Sequence, residues 1–168
     1  MSPTPDEFRE AVSRFATGIT VVTCLVDGVD HAMTANAFAS VSIDPLLVMV
    51  CVERDSRFHG AIGASQTWGV SILAADAEAT SRWFATKGRP LAGQLERSGH
   101  HRSPHSGVAW IDGALASLEC RTTERRLAGD HDIVIGEVVE LEISPGAVVE
   151  PLLYFRRNYR SLSPGSGS

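Results

Sequence analysis

Apolar positions recur along this chain in two spacings. Phe8, Val12 and Phe15 fall at i, i+4 and i+7, one face of an amphipathic helix. Thr4, Pro5 and Glu7 precede that face as a capping box with proline in the first turn, and Gly18 marks the stop. Ile19–Leu25 is rich in β-branched residues and too short for a free-standing helix, which predicts a strand. Asp27 and Gly28 give a turn, and His31–Met33 begins a return strand. Leu46–Val52 is apolar at every position and predicts a central strand. Arg54–Arg57 interrupts as a polar loop, Phe58–Ser65 suits a short helix, and Trp68–Leu73 is a further strand. Asp76 offers a cap for a helix running to about Lys87, with Ala79/Trp83 and Thr80/Phe84 at i, i+4.

The pattern then breaks. Gly88–Ser106 mixes glycine, proline, arginine and three histidines and predicts a long, mobile loop. Ala114–Arg126 and Asp132–Ile143 resume as two long strands joined at Ala128–Asp130. Pro151–Tyr159 is a last extended segment, and 163–168 a flexible tail. Six or seven strands with short turns, two or three helices and no regular βαβ alternation predict a mainly β fold. The architecture is an antiparallel barrel with appended helices, one domain over 5–162.

Composition narrows the function. The 168 residues carry a net charge of −5, which gives no electrostatic reason for a nucleic-acid or anionic-membrane partner. No apolar run approaches a bilayer span, and Met1–Arg14 lacks the apolar stretch of a secretory signal, so a cytoplasmic location is expected. Cys24, Cys51 and Cys120 are odd in number and match no zinc spacing, and read as buried thiols of a reducing compartment.

The dinucleotide fingerprint Gly-x-Gly-x-x-Gly, the phosphate loop ending in Gly-Lys-Ser/Thr, the Gly-x-Ser-x-Gly elbow and His-Glu-x-x-His are all missing. Four constellations remain. Met33–Pro45 packs small and hydroxylated residues, which allow a flat ligand to approach the backbone while Thr34, Asn36, Ser40 and Ser42 supply polar groups. A polar connection between strands explains the segment as well. Glu53–Phe58 offers Arg54, Ser56 and Arg57 to a phosphate just before a helix, or is a solvated loop with a cap. In Gly129–Asp132, His131 stands where a turn enters a strand, with Asp130 or Asp132 to orient it. Pro151–Tyr159 sets aromatics beside arginines. His100, His101 and His105 have no regular scaffold or neighbouring carboxylate and read as an exposed loop, with no metal site.

In this order, these segments resemble the flavin reductase-like family, with its FMN-binding split β-barrel, from about Phe8 to Leu162. The matching pieces are Arg14–Thr23, Met33–Ser42, Asp44-Pro45, Gly129–His131 and Pro151–Phe155. The resemblance implies an NADH- or NADPH-dependent reductase of FMN or FAD. It also implies a homodimer with flavin near the interface, and a separate monooxygenase supplied with diffusible reduced flavin. It places Thr34, Ala35, Asn36 and Ala37 along the isoalloxazine and ribityl chain, and Ser40 at a further ribityl or phosphate contact. Cys51 and Val52 match backbone lining the flavin, Arg54 and Ser56 the phosphate loop, and Phe84 a position near the flavin. His131 matches the histidine near the nicotinamide, and Tyr154 an aromatic of the same pocket. Phe58 stands where threonine is common, and Gly88–Ser106 departs from the family pattern.

Hydride transfer from nicotinamide C4 to flavin N5 needs no general base, so His131 is expected to position or polarise the carboxamide. Backbone groups of Ala35–Ala37 or Cys51–Val52 would stabilise negative charge on reduced flavin. Three alternatives stand beside this reading: a split-barrel oxidase or oxygenase that retains its flavin, a flavin-binding protein without turnover, and a structural dimerising barrel with an empty site.

Overall fold

The computed structural model describes residues 2–145 and 150–162; the expected tail, 163–168, lies outside the described residues. In chain order the elements are α1 (Pro5–Val12), β1 (Thr17–Gly18), β2 (Thr20–Val26), β3 (Val29–Ala35), β4 (Phe38–Ile43), β5 (Leu46–Glu53), α2 (Arg57–Ala64), β6 (Thr67–Ile72), α3 (Glu78–Ala85), β7 (His100–Arg102), β8 (Ala109–Ile111), β9 (Ala116–Ala128), β10 (His131–Ile143), β11 (Leu153–Phe155) and β12 (Asn158–Arg160). The strands outnumber the expectation: β1, β7 and β8 are two- or three-residue pairings too short to show a period, the last extended segment divides into β11 and β12, and the six-residue β4 lies in the small and hydroxylated stretch read as joining two strands.

Seven strands form the main antiparallel sheet, ordered β3-β2-β6-β9-β10-β5-β4. β3 and β4 are consecutive in sequence yet occupy opposite edges. Only Asn36 and Ala37 join them, a link that reaches about 11 Å at most. The sheet must therefore curl until its edges meet at that corner, where Cys51 N donates to Ala37 O at 3.0 Å. This is the expected antiparallel split barrel with appended helices. Met33–Ser40 is consequently the end of one strand and the start of another, with a two-residue corner between them.

The barrel interior holds Val22, Cys24, Val48, Val50, Val52, Ile62, Trp68, Val70, Cys120 and Val134. Each large side chain buried there contributes about 1.5–3 kcal/mol. Gly136 lies on β10 against this layer, where a Cβ would stand 2.6 Å from Trp68 Cζ2 and 3.0 Å from Cys120 Cβ. A second core outside the barrel gathers Ile19, Val21, Leu73, Phe84, Leu95, Ile111 and Leu152. β2 is thus buried on both faces, with Val22 and Cys24 facing inward and Val21 outward, and so is its neighbour β6 from Trp68 to Ser71. β5, predicted to be central, is second from the edge: Val48, Val50 and Val52 are buried, while Leu47, Met49 and Cys51 on its other face are half-buried.

The capping box of α1 forms, with Thr4 Oγ1 accepting from Glu7 N at 3.3 Å and Glu7 Oε2 accepting from Thr4 N at 2.8 Å. The helix ends at Ser13 instead of running to Gly18, and its apolar face is solvent-exposed: Phe8 is 63% and Phe15 75% accessible. α3 starts at Glu78 behind Ala77, without the expected Asp76 cap, and stops before Lys87.

The 88–106 segment is not a free loop. Arg89 donates to Ala32 O, Thr86 O and Gln94 Oε1, and the buried Gln94 donates from Nε2 to Asp30 O at 2.5 Å. Trp83 Nε1 donates to Gln94 O at 2.8 Å, Leu95 enters the second core, and Arg102 grips Asp30 through two nitrogens. At its far end the buried Glu119 accepts from Ser106 N and His105 N. The segment is a strap across β3.

Candidate functional site

The corner where the barrel edges meet walls a cavity of about 470 Å³, within the range of roughly 300–1,000 Å³ typical of small-ligand sites. The end of β3 and the corner contribute Thr34, Ala35, Asn36 and Ala37. Small side chains at positions 35 and 37 keep this wall close to the backbone. Thr34 Oγ1 donates to Ser81 O at 2.6 Å, which ties the wall to α3. Beside the corner stand Cys51 and Glu53 at the end of β5, and the buried Phe84 from α3 completes the lining.

One end of the cavity is cationic. Ser56, Arg57, Arg89 and His31 gather there, and Asp55 and Lys87 also belong to the lining. Ser56 caps α2, its Oγ accepting from His59 N at 3.2 Å, so the first-turn N–H groups of the helix open nearby. Arg57 Nη1 donates to Arg89 O at 3.0 Å. Lys87 pairs with Glu53 at 3.1 Å, whereas Arg57 and Arg89 have no carboxylate partner among the described residues. Burial, with Arg57 nearby, lowers the Arg89 pKa from its ordinary value. Burial and then Arg57 likewise lower His31, whose Nδ1 is buried without a hydrogen-bond partner. Positive charge held without a counterion predicts an anion as its complement.

His131 stands at the mouth, on the first residue of β10 opposite Glu53. Gly129, at φ +67°, makes the tight turn that brings Ala128 and His131 into register. His131 Nδ1 lies 2.7 Å from Asp130 Oδ1, and that bond holds the Asp130 carboxyl below its ordinary pKa. With Nδ1–H donated to Asp130, Nε2 is the acceptor of the neutral ring.

Of the residues that the family resemblance places at the site, Thr34, Ala35, Asn36, Ala37, Cys51, Ser56, Phe84 and His131 line this one cavity, together with Arg57 from the donor-rich turn. Four do not. Ser40 is exposed on β4 opposite Val48, beyond the corner. The Val52 side chain points into the core, as strand alternation after Cys51 requires. Arg54 turns from the cavity toward Asp132, 3.9 Å away, and Arg57 occupies the cationic end instead. Tyr154 pairs with Thr17 and lines a neighbouring cavity of about 490 Å³ that shares Thr34, Asn36, Ala85 and Thr86 with the first. His31, Lys87 and Arg89 were missed. The basic pair Lys87 and Arg89, set directly after a helix, was their only sequence signal.

The other chemistry-bearing groups are occupied elsewhere. His101 contacts Asp112 at 2.7 Å and Glu142 at 3.4 Å, and His105 contacts Glu140 at 3.3 Å, so carboxylates and a short strand do surround these histidines. No group of three metal-ligating side chains occurs among the described residues. Cys24 and Cys120 are buried, with pKa values pushed up to about 12, while Cys51 is half-buried in the cavity wall. No helix among the described residues is long and apolar enough to cross a membrane.

A family model described as flavin reductase like domain matches residues 12–163. The chain is 38% identical over 161 residues to an NADH:riboflavin 5'-phosphate oxidoreductase of Streptomyces pristinaespiralis, covering 95% of this chain and 89% of that protein. The solved structure of BorF, the flavin reductase component of a bacterial two-component tryptophan halogenase, superposes with a TM-score of 0.88 at 39% identity, over 95% of this chain and 98% of that one. The Streptomyces globisporus NADH:FAD oxidoreductase SgcE6, solved in complex with NAD and FAD fragments, gives a TM-score of 0.90 at 33% identity and 99% coverage of both chains.

Proposed function

The chain belongs to the flavin reductase-like domain family, and from that premise we propose that it is an NADH-dependent flavin reductase supplying diffusible reduced FMN or FAD to a partner monooxygenase. The observation that carries this reading is the cavity itself. It joins a backbone-lined slot at the barrel corner to a cationic end whose Arg57 and Arg89 lack carboxylate partners among the described residues. A flat ring on a phosphorylated chain has that distribution of chemistry. The test is steady-state oxidation of NADH and NADPH with riboflavin, FMN and FAD. Saturable NADH oxidation with free flavin supports the reading; a flavin that remains bound and turns over only with an organic substrate rejects it.

In this reading Thr34–Ala37 and the Cys51 backbone hold the ring and ribityl chain, and Ser56 with Arg57 holds the phosphate. Flavin and nicotinamide supply hydride transfer between their own rings. The protein supplies proximity, which is worth several kcal/mol of barrier. Phe84 and the alanines exclude water from the slot. His131, oriented by Asp130, presents Nε2 to the nicotinamide carboxamide and transfers no proton. Backbone groups at the corner, beside the ring, favour the more negative product.

A homodimer is part of the same proposal. Val12, Phe15, Phe38 and Met49 line an apolar groove of about 510 Å³ between α1 and β4–β5, and it continues to Asn36 and Ala37 at the cavity wall. Phe8 and Val12 extend it along an α1 face that buries no residue. Apolar surface of this kind marks an interface. A cytoplasmic location accompanies this reading, in keeping with three free thiols.

A further inference from the structure

Behind the cavity, away from its lining, three side chains converge on one carboxylate. His59 Nε2 lies 2.9 Å from Asp132 Oδ2, and Arg125 Nη2 donates to the same oxygen at 2.7 Å. Arg54 Nε stands 3.9 Å from Oδ1. Arg125 reaches this point across α2 at Gly63, where a methyl group would collide with its guanidinium. The backbone adds one more tie, Arg54 N donating to Asp130 O at 3.0 Å. His59 and Arg125 hold the Asp132 carboxyl below its ordinary pKa, so it is ionised in neutral solution. Its side chain is 15% exposed, and no other described carboxylate pairs with Arg54, His59 or Arg125.

These contacts clamp the segment 54–59 at both ends, onto the first residues of β10. The clamped segment presents Ser56 and Arg57 to the cavity, while Asp132 itself does not line it. We infer that Asp132 is a positioning residue that sets the 54–59 segment for the flavin phosphate, an inference that rests on the phosphate reading proposed above. The strand that carries His131 at the mouth thereby also fixes the anion-holding turn, through the next residue in sequence. Charged hydrogen bonds of this kind set the turn that carries Arg57, through Arg54 and His59 on either side of it, without touching the ligand. Its loss therefore falls on phosphorylated flavins and spares riboflavin, which a general loss of structure would not do.

The test is fluorescence titration of the full chain with FMN and with riboflavin, comparing wild type with Asp132→Asn, His59→Ala and Arg57→Ala. Asp132→Asn is expected to weaken FMN about tenfold and riboflavin no more than about twofold. His59→Ala, which removes the α2 side of the clamp and keeps the carboxylate, is expected to weaken FMN selectively by about threefold. An unchanged ratio of FMN to riboflavin affinity in both variants, or equal loss of both ligands, overturns the inference. If Asp132→Asn does not fold, His59→Ala decides by the same ratio. Arg57→Ala separates the premises: if it leaves the ratio unchanged, the phosphate reading fails and this inference with it. If it lowers the ratio while the two clamp variants do not, the clamp alone is rejected.

Discussion

His131 Nδ1 and Asp130 Oδ1 stand 2.7 Å apart, neighbours in sequence across the turn that starts β10. The carboxylate fixes the ring's tautomer and leaves Nε2 for a ligand at the cavity mouth. Because the bond depresses the Asp130 pKa, the interaction is complete above the ordinary value of 3.8 and is lost only in acid, as pH falls through the depressed pKa. Neutral assays therefore see the oriented histidine. His131→Ala is expected to raise the KM for NADH or slow hydride transfer by about tenfold, with flavin affinity changed by no more than about twofold. Stopped-flow reduction and flavin titration of one preparation check this, and an equal loss in both removes His131 from the nicotinamide side.

Arg57 and Arg54 make a second contrast. Arg57 faces the cavity without a carboxylate partner among the described residues, and Arg54 leans toward Asp132. Arg57→Ala is expected to weaken FMN by about tenfold and leave riboflavin nearly unchanged, while Arg54→Ala costs FMN only about twofold. Isothermal titration of each variant with both flavins measures the difference. A larger FMN-specific loss for Arg54→Ala would return the phosphate to that residue.

Those two arginines also mark how far the sequence could be read. A polar run after an apolar strand announced a donor-rich turn, but which of its side chains faced inward depended on Asp132, far along the chain. Likewise the short unbroken apolar run Leu46–Val52 revealed a strand, while its neighbours decided that its second face would be half-buried. β2 is buried on both faces, because the second core laid over it draws on α3, the strap and β8. The strap itself was opaque. Arg89 and Gln94 bond to carbonyls of β3 that lie 57 and 64 residues earlier, contacts with no local periodicity. The Gly129–His131 turn and the small-residue corner were legible because tight turns and close backbone approach restrict residue type locally.

The exposed face of α1 tests the dimer. Phe15 is 75% accessible and Val12 49%, and both border the groove that runs to the cavity wall. A charge there would oppose association while leaving the monomer's own core untouched. Phe15→Asp is expected to shift the protein from dimer to monomer in sedimentation velocity, with circular dichroism unchanged. Retention of a dimer by both Phe15→Asp and Val12→Asp would move the interface elsewhere.

His101 carries a pH dependence of opposite sign to that of Asp130. Its hydrogen bond to Asp112, with Glu142 beyond, raises its pKa above the ordinary 6.5. Trp110 meets the ring edge-on at 5.8 Å. A raised histidine pKa contributes stability that is complete below the unfolded value and fades as pH rises through the folded one. His101→Gln should therefore lower the Tm more at about pH 5.5 than at about pH 9. The effect is small, because solvent screens a pair this exposed. Thermal melts at the two pH values decide it, and a gap that widens with rising pH would contradict the assignment.

The three thiols offer a probe of the cavity that needs no mutation. Cys24 and Cys120 are buried, with pKa values pushed up to about 12, so neither access nor ionisation favours attack on them. Cys51 is also raised by burial, yet it is half-buried and lines the cavity between Ala37 and Glu53. The thiolate is the reactive form, so iodoacetamide should modify Cys51 slowly, faster with rising pH, and ahead of the other two. Flavin bound along the corner covers that sulfur. Mass spectrometry after timed alkylation should show Cys51 labelling slowed by about tenfold under saturating FMN, the expected consequence of restricting labelling to the free protein. Labelling at Cys51 that is indifferent to FMN, under conditions where FMN binding is independently measured, would place the flavin away from this wall and reject the assignment of the corner.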